Sequence, residues 1–290
     1  MSRSKPSLLT FALYRTSHKR SSPGFVRSCW GKATCLALLV APAVLLQEPV
    51  AARTLEAVRS RGVITVCAHA NALPFSSRKD DPPGFQIELA RALAQQLDLG
   101  LAVAWVVTPN QYRAADCDIV LDTIVDPEVQ AESRLRVSKP YHHSGVALAL
   151  PARAANVGSF QDLKAGERVG VQVGSVAQMI LGQRGVQTIP FAFEDEILEA
   201  LAAGSLDGAA VSPATIGYFN LTHPNQNIRL VHAYEREADL SWDVAVGMRG
   251  SDNLLRESVN AALDRLLADG TIQGIYARYG IEHRLPTANR

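Results

Sequence analysis

Little in this sequence points to nucleic acid, to a membrane span or to covalent chemistry. Basic residues barely outnumber acidic ones, 29 Lys or Arg against 28 Asp or Glu, and the balance is uneven along the chain. Residues 1–52 hold seven of the basic residues and one acid, Glu48, so 22 basic and 27 acidic residues remain and the rest carries about −5. A basic nucleic-acid surface is therefore absent. There is no HExxH, no CxxC and no GxSxG elbow, so neither a zinc site nor an activated serine is signalled. No repeat occurs at solenoid periods. With 47% hydrophobic and 20% charged residues and no low-complexity run, the chain is not disordered, collagenous or a coiled coil. Its 290 residues suit two lobes better than one typical domain.

What is present begins with a leader. Arg15, Lys19, Arg20, Arg27 and Lys32 precede twelve uncharged residues, Cys35 to Leu46, and then Val50-Ala51-Ala52, a small-residue cleavage pattern. This reads as a signal peptide over residues 1–52, cleaved near Ala52, and predicts a periplasmic protein. A membrane anchor needs ~20 apolar residues, and Pro42 interrupts this shorter run. Neither Cys29 nor Cys35 has a lipoprotein context, and no later run reaches membrane length. Cleavage leaves Cys67 and Cys117, an even pair in an oxidising compartment. Two readings stay open: a disulfide, or two buried small hydrophobes. If the cysteines lie on neighbouring parallel strands in register, three or four residues at ~3.3 Å each put them beyond bridging reach.

From Leu55 onward, short β-branched runs alternate with helical periods. Val63–Ala68, Leu101–Val107, Cys117–Leu121 and Gly145–Leu150 read as strands, and Phe85, Leu89, Leu93 and Leu97 mark one helical face. After a loop-like stretch from Pro151 to Ser159 the pattern restarts. Strands are expected at 168–173, 188–193, 206–211, 229–233 and 244–248, with two helices closing the chain. Ile275, Tyr276 and Tyr279 of the last helix should pack on the first lobe. The result is α/β: two lobes, each an open, mostly parallel sheet flanked by helices. Ligands on such sheets collect at the carboxyl ends of strands, so a cleft between the lobes is the expected site. Hinge motion would close it.

The chemistry-bearing residues sit at those ends. Ser175 opens a helix straight after Gln172-Val173-Gly174; it is either a cap alone or a cap whose neighbouring amides face an anion. His69 and Asn71 follow the first strand and face the cleft, unless the segment is a solvated loop with Phe75 packed as core. Asp122 and Thr123 follow the third strand, where Asp122 could hold a hydroxyl, an amine or a cation, or cap a turn. His142 and His143 are adjacent on an extended segment and point to opposite faces, which suits a shared metal poorly. No metal or cofactor is expected.

The leader, Leu55-Glu56-Ala57-Val58-Arg59-Ser60-Arg61-Gly62, Ser138-Lys139-Pro140-Tyr141, Gln172-Val173-Gly174-Ser175 and Asp269-Gly270-Thr271-Ile272 followed by Tyr279-Gly280 together resemble bacterial extracellular solute-binding proteins of family 3, over residues 54 to 285. The resemblance implies a periplasmic-binding-protein type II fold with two hinge crossovers, near residues 148–150 and 243–246. Residues 53–148 with 246–290 would form lobe 1, and 149–245 lobe 2. It places cleft residues on His69, Ala72, Asp122, Thr123, Gln172, Gly174, Ser175 and Ser212. Amino-acid receptors of the family usually carry an Arg shortly after a Thr-Ile-Thr. Here Thr123-Ile124-Val125 leads to Val129, Gln130 and Ala131, with no Arg until Arg134. Ser212 stands where an ammonium-gripping Asp is usual, and Ala72 where an aromatic shelf is usual. An ordinary α-amino acid is thus a poor ligand, and a small polar or anionic solute is expected. Cys67-Ala68-His69-Ala70-Asn71-Ala72-Leu73-Pro74-Phe75-Ser76 and Cys117-Asp118-Ile119-Val120 are similar to the branch associated with quinoprotein alcohol and methanol dehydrogenases. That narrower likeness implies, as the alternative role, a non-enzymatic accessory protein. Implied partners are a small-molecule solute and either an ABC permease or a quinoprotein dehydrogenase with its cytochrome. A periplasmic enzyme of this fold, with Asp122 or His69 as acid or base, is the third reading.

Overall fold

The computed structural model describes residues 53–107, 109–133, 135–154 and 156–286. The leader, its cleavage near Ala52, and Arg134 lie outside the described residues.

Both ends of the described chain build the first sheet. Helix α1 (Leu55–Arg61) starts where the Thr54 hydroxyl accepts the Ala57 amide at 3.1 Å, and stops at Gly62 in the left-handed region. It feeds β1 (Val63–His69), a small hairpin of β2 (Asn71–Ala72) and β3 (Ser76–Ser77), and α2 (Phe85–Gln96). Helix α2 buries Phe85, Leu89 and Leu93, the face read from their spacing. Then come β4 (Gly100–Val106), α3 (Pro109–Ala114), β5 (Ile119–Ile124), α4 (Pro127–Ser133), β6 (Leu135–Val137) and β7 (His142–Gly145).

The second sheet takes the middle of the chain. Its elements are β8 (Ala147–Pro151), β9 (Arg168–Gln172), α5 (Val176–Gln183), β10 (Gln187–Phe191), α6 (Glu194–Ala202), β11 (Gly208–Val211), α7 (Pro213–Thr222) and β12 (Ile228–Val231). The chain then returns as β13 (Ser241–Arg249), α8 (Asn253–Ala268) and α9 (Thr271–Arg278). Strand order is β4-β1-β5-β13-β6 in the first sheet, with β7 also on β13, and β10-β9-β11-β8-β12 in the second. In each, three strands run parallel and the strands next to the crossovers run antiparallel. Two separate cores result. One gathers Ile64, Leu89, Leu255, Leu263, Tyr276 and Tyr279; the other Leu148, Leu150, Val171, Ile197 and Phe219.

The expected strand Gly145–Leu150 is two strands in different sheets, divided at Val146. A Cβ on Gly145 would overlap the Leu240 carbonyl oxygen and the Tyr234 ring, so only glycine lets the two crossing segments lie together. There Val146 N–H donates to Leu240 O at 2.9 Å. Sheet membership changes at Val146 and again before Ser241, a few residues ahead of the crossovers expected near 148–150 and 243–246. Among the described residues no helix is long and apolar enough to cross a membrane.

The cysteines are bridged, with Cα atoms 5.4 Å apart. The in-register argument fails because Cys117 is not in the ladder: pairing starts at Val66 with Ile119, two residues later. The chain leaves the strand line before Ile119 and brings Cys117 onto Cys67, in a small cluster with Val106.

Candidate functional site

Two cavities, of about 620 and 310 Å3, open between the strand ends of the two lobes and share Phe75, Gln172, Glu194 and Ser212 along their common border. From the first lobe come the end of β1 and the hairpin beyond it, and the end of β5. From the second come the end of β9 with the start of α5, and the first turns of α6 and α7.

His69, Asn71 and Ala72 line the larger cavity. The His69 ring is fixed locally, its Nδ1 accepting the Asn71 amide at 3.1 Å, while the Ser76 hydroxyl holds the His69 carbonyl at 2.8 Å. Asp122 lines the smaller cavity, but from inside a strand, because β5 runs on to Ile124. Its φ of 51° is unusual in a strand, and the opposite strand shifts register between Ala245 and Gly247. Such a bulge re-aims a side chain, and Asp tolerates the left-handed region better than most residues. The aim is held on three sides. Tyr141 Oη donates to Asp122 Oδ1 at 2.5 Å, Gln86 Nε2 donates to Oδ2 at 2.7 Å, and the Asp122 amide donates back to Tyr141 Oη at 2.9 Å.

Thr123 lines neither cavity: its hydroxyl donates to Val120 O at 3.3 Å and sits against Gly247 within the sheet. Gly174 lines neither either. Its amide donates to Gln178 Oε1 at 2.7 Å, and the Ser175 amide donates to Gln172 O at 3.1 Å. Two of the amides that the sequence aimed at an anion are thus taken within the protein. Ser175 does cap α5, accepting the Gln178 amide at 3.2 Å, and both it and Gln172 reach the smaller cavity. Ser212 caps α7 through the Ala214 amide at 3.2 Å and reaches both cavities.

Glu194 was not singled out from sequence. It begins α6, directly beyond the end of β10, and lines both cavities. Its Oε1 accepts the Ser212 amide at 2.9 Å and its Oε2 the Thr215 hydroxyl at 2.5 Å, so one carboxylate ties the starts of two helices. Acids are ordinary in a helix's first turn, which hid the signal; its position at a strand tip was the clue. Burial pushes the carboxyl pKa of both Asp122 and Glu194 up, and neighbouring Asp195 adds to this at Glu194. Asp195 and Glu199 also line the larger cavity, with Phe193, Tyr218 and His223. Among the described residues no Lys or Arg lines either cavity.

His142 and His143 face opposite sides of β7. His142 stacks on His283, with ring centroids 5.3 Å apart, while His143 Nδ1 meets Asp243 Oδ1 at 2.7 Å. Burial pushes the His142 pKa down to about 3, so the ring is neutral near pH 7.

Known proteins share this layout. Protein MoxJ of Methylorubrum extorquens is 24% identical over 307 residues, covering 93% of this chain and 98% of its own. Membrane-bound lytic murein transglycosylase F of Desulfosudis oleivorans is 26% identical over 237 residues, covering 77% of this chain. The alignment takes in 49% of that transglycosylase, so the chain spans about half its length. The solved structure of an ancestral cationic amino acid solute-binding protein matches with a TM-score of 0.67 at 23% identity, covering 78% of this chain and 99% of that one. Two sheets with their strand ends across a shared gap agree with the match of residues 64–282 to one family, and the chain belongs to the bacterial extracellular solute-binding proteins, family 3.

Proposed function

We propose that this protein is a periplasmic receptor that holds a small polar solute between its lobes without transforming it. The observation that carries this reading is the pair of adjoining cavities walled by strand ends from both sheets, the place where open α/β sheets bind ligands. Closure about Val146 and the segment before Ser241 would bury the solute. The anionic solute expected from Ser175 loses support here, because the Gly174 and Ser175 amides are internally satisfied and the walls hold carboxylates with no Lys or Arg among the described residues. A thermal-shift screen of the purified chain against neutral, anionic and cationic metabolites tests this. At least one class should raise Tm in a saturable way, while no response from any class contradicts solute binding.

The second reading is an accessory role beside a periplasmic quinoprotein dehydrogenase, with the cleft serving that partner. It is favoured by the near end-to-end match to MoxJ. Co-purification from a cell expressing such a dehydrogenase separates the two, since a transport receptor would not retain it. Catalysis has less support. The Asp122 carboxylate is tied to Gln86 and Tyr141 of its own lobe, which orients it as a fixed acceptor.

A further inference from the structure

We propose that the cleft closes on an organic cation lacking a carboxylate, an alkylammonium or diammonium compound, held between Asp122 of one lobe and Glu194 of the other. This rests on the solute-binding reading and names its ligand class.

The two residues line the same 310 Å3 cavity from opposite sheets. Among the described residues the hydrogen-bond partners of their carboxylate oxygens are neutral donors: Gln86 and Tyr141 for Asp122, the Ser212 amide and Thr215 hydroxyl for Glu194. Among the described residues no Arg, Lys or His pairs with either. Each oxygen has accepted one hydrogen bond and keeps capacity for another, and both residues line the cavity. Bringing two uncompensated carboxylates together as water leaves raises their repulsion, and a cation between them removes it. Closure is then coupled to the ligand's charge.

The remaining walls fit the same class. Phe75, Phe85, Trp242 and Tyr276 supply apolar and aromatic surface for an alkyl chain or a methylated ammonium head. Asp195 and Glu199 extend the negative potential toward the larger cavity, which suits a second ammonium on the same molecule. An α-carboxylate would meet Asp122 and Glu194 and, among the described residues lining the cavities, no Lys or Arg to pair with, which disfavours ordinary amino acids. Burial raises the pKa of both acids, and a cation bound between them acts in the opposite direction by favouring their charged forms. The groups facing them are Tyr141, Tyr276 and His142 around Asp122, and Asp195 beside Glu194.

Titration calorimetry of the purified chain tests this with butane-1,4-diammonium and tetramethylammonium chlorides against succinate, butane-1,4-diol and potassium chloride at matched ionic strength. At least one ammonium probe should bind, and the three controls should not. Glu194→Gln, which keeps an acceptor for the Ser212 amide, should weaken the ammonium probe at least tenfold, and so should Asp122→Asn, which serves as the second variant if the first folds poorly. Equal binding of succinate, diol or potassium, full affinity in both folded variants, or a screen hit confined to anions or neutral solutes overturns the cation and leaves the receptor reading standing. Silence from these probes and from the whole metabolite screen overturns both.

Discussion

Replacing Cys67 and Cys117 together with Ala removes the covalent tie between the end of β1 and the approach to β5, the two segments that present His69 and Asp122 to the cleft. The bridge closes a loop with a sequence separation of 50. Chain-entropy arithmetic for such a loop gives about 4 kcal/mol lost on removal, with typical measured values of about 2–4. Both residues are nearly fully buried, so Ala leaves no stranded hydroxyl, and the small void adds to the loss. For a chain of this size 1 kcal/mol corresponds to a Tm shift of roughly 2–4 °C, so the double variant should melt about 5–15 °C lower. Urea unfolding of the oxidised wild type, the reduced wild type and the variant measures it. The reduced wild type should resemble the variant. Identical midpoints for all three, with thiol titration proving the oxidised sample bridged, would refute the reasoning.

His142 is held neutral, with its pKa lowered to about 3 from 6.5, so the unfolded chain takes up a proton that the folded one refuses. Its contribution is complete above pH 6.5 and shrinks as pH falls toward 3, by an amount on the order of 4–5 kcal/mol; His142→Gln should flatten that slope in acid titrations followed by circular dichroism. Glu194 behaves oppositely: its raised pKa means its favourable contribution exists below the unfolded value of 4.5 and is lost as pH rises through the folded one. Glu194→Gln should therefore be at least as stable as wild type in urea at pH 7, and the gap should close at pH 4. A Cβ on Gly217 of α7 would overlap the Gly280 carbonyl, backbone against backbone, so Gly217→Ala should lower stability by ~1–3 kcal/mol. Gly182→Ala, on an exposed part of α5 with open space around it, should be neutral or gain ~0.5–1 kcal/mol in the same melts.

The two-lobe layout was legible because alternating β-branched runs and helical periods restart after residue 159, and the cleft followed from where strands end. Seven of the nine candidate residues, His69, Asn71, Ala72, Asp122, Gln172, Ser175 and Ser212, lie on the two cavities. What failed to show was information carried by other parts of the chain. Asp122 looked like a residue after a strand because Asp is rare inside one, and the Tyr141 and Gln86 contacts that hold it there come from distant parts of the chain. Gly174 looked free for an anion because Gln178 lies one helical turn on, and nothing in the spacing says its side chain folds back. Glu194 was camouflaged by its normality at a helix start. The bridge depended on register, which sequence leaves open where the chain bends out of its ladder.

Hydrogen exchange of the purified chain, with and without the solute that raises its Tm, measures most directly whether a solute is held between the lobes. Protection should appear together at the end of β5 around Asp122 and at the starts of α6 and α7 around Glu194 and Ser212, and mass spectrometry of the released solute should show it unchanged. Protection confined to one sheet or lying away from both strand ends, or a solute recovered with altered mass, would contradict a receptor that holds its ligand in the cleft.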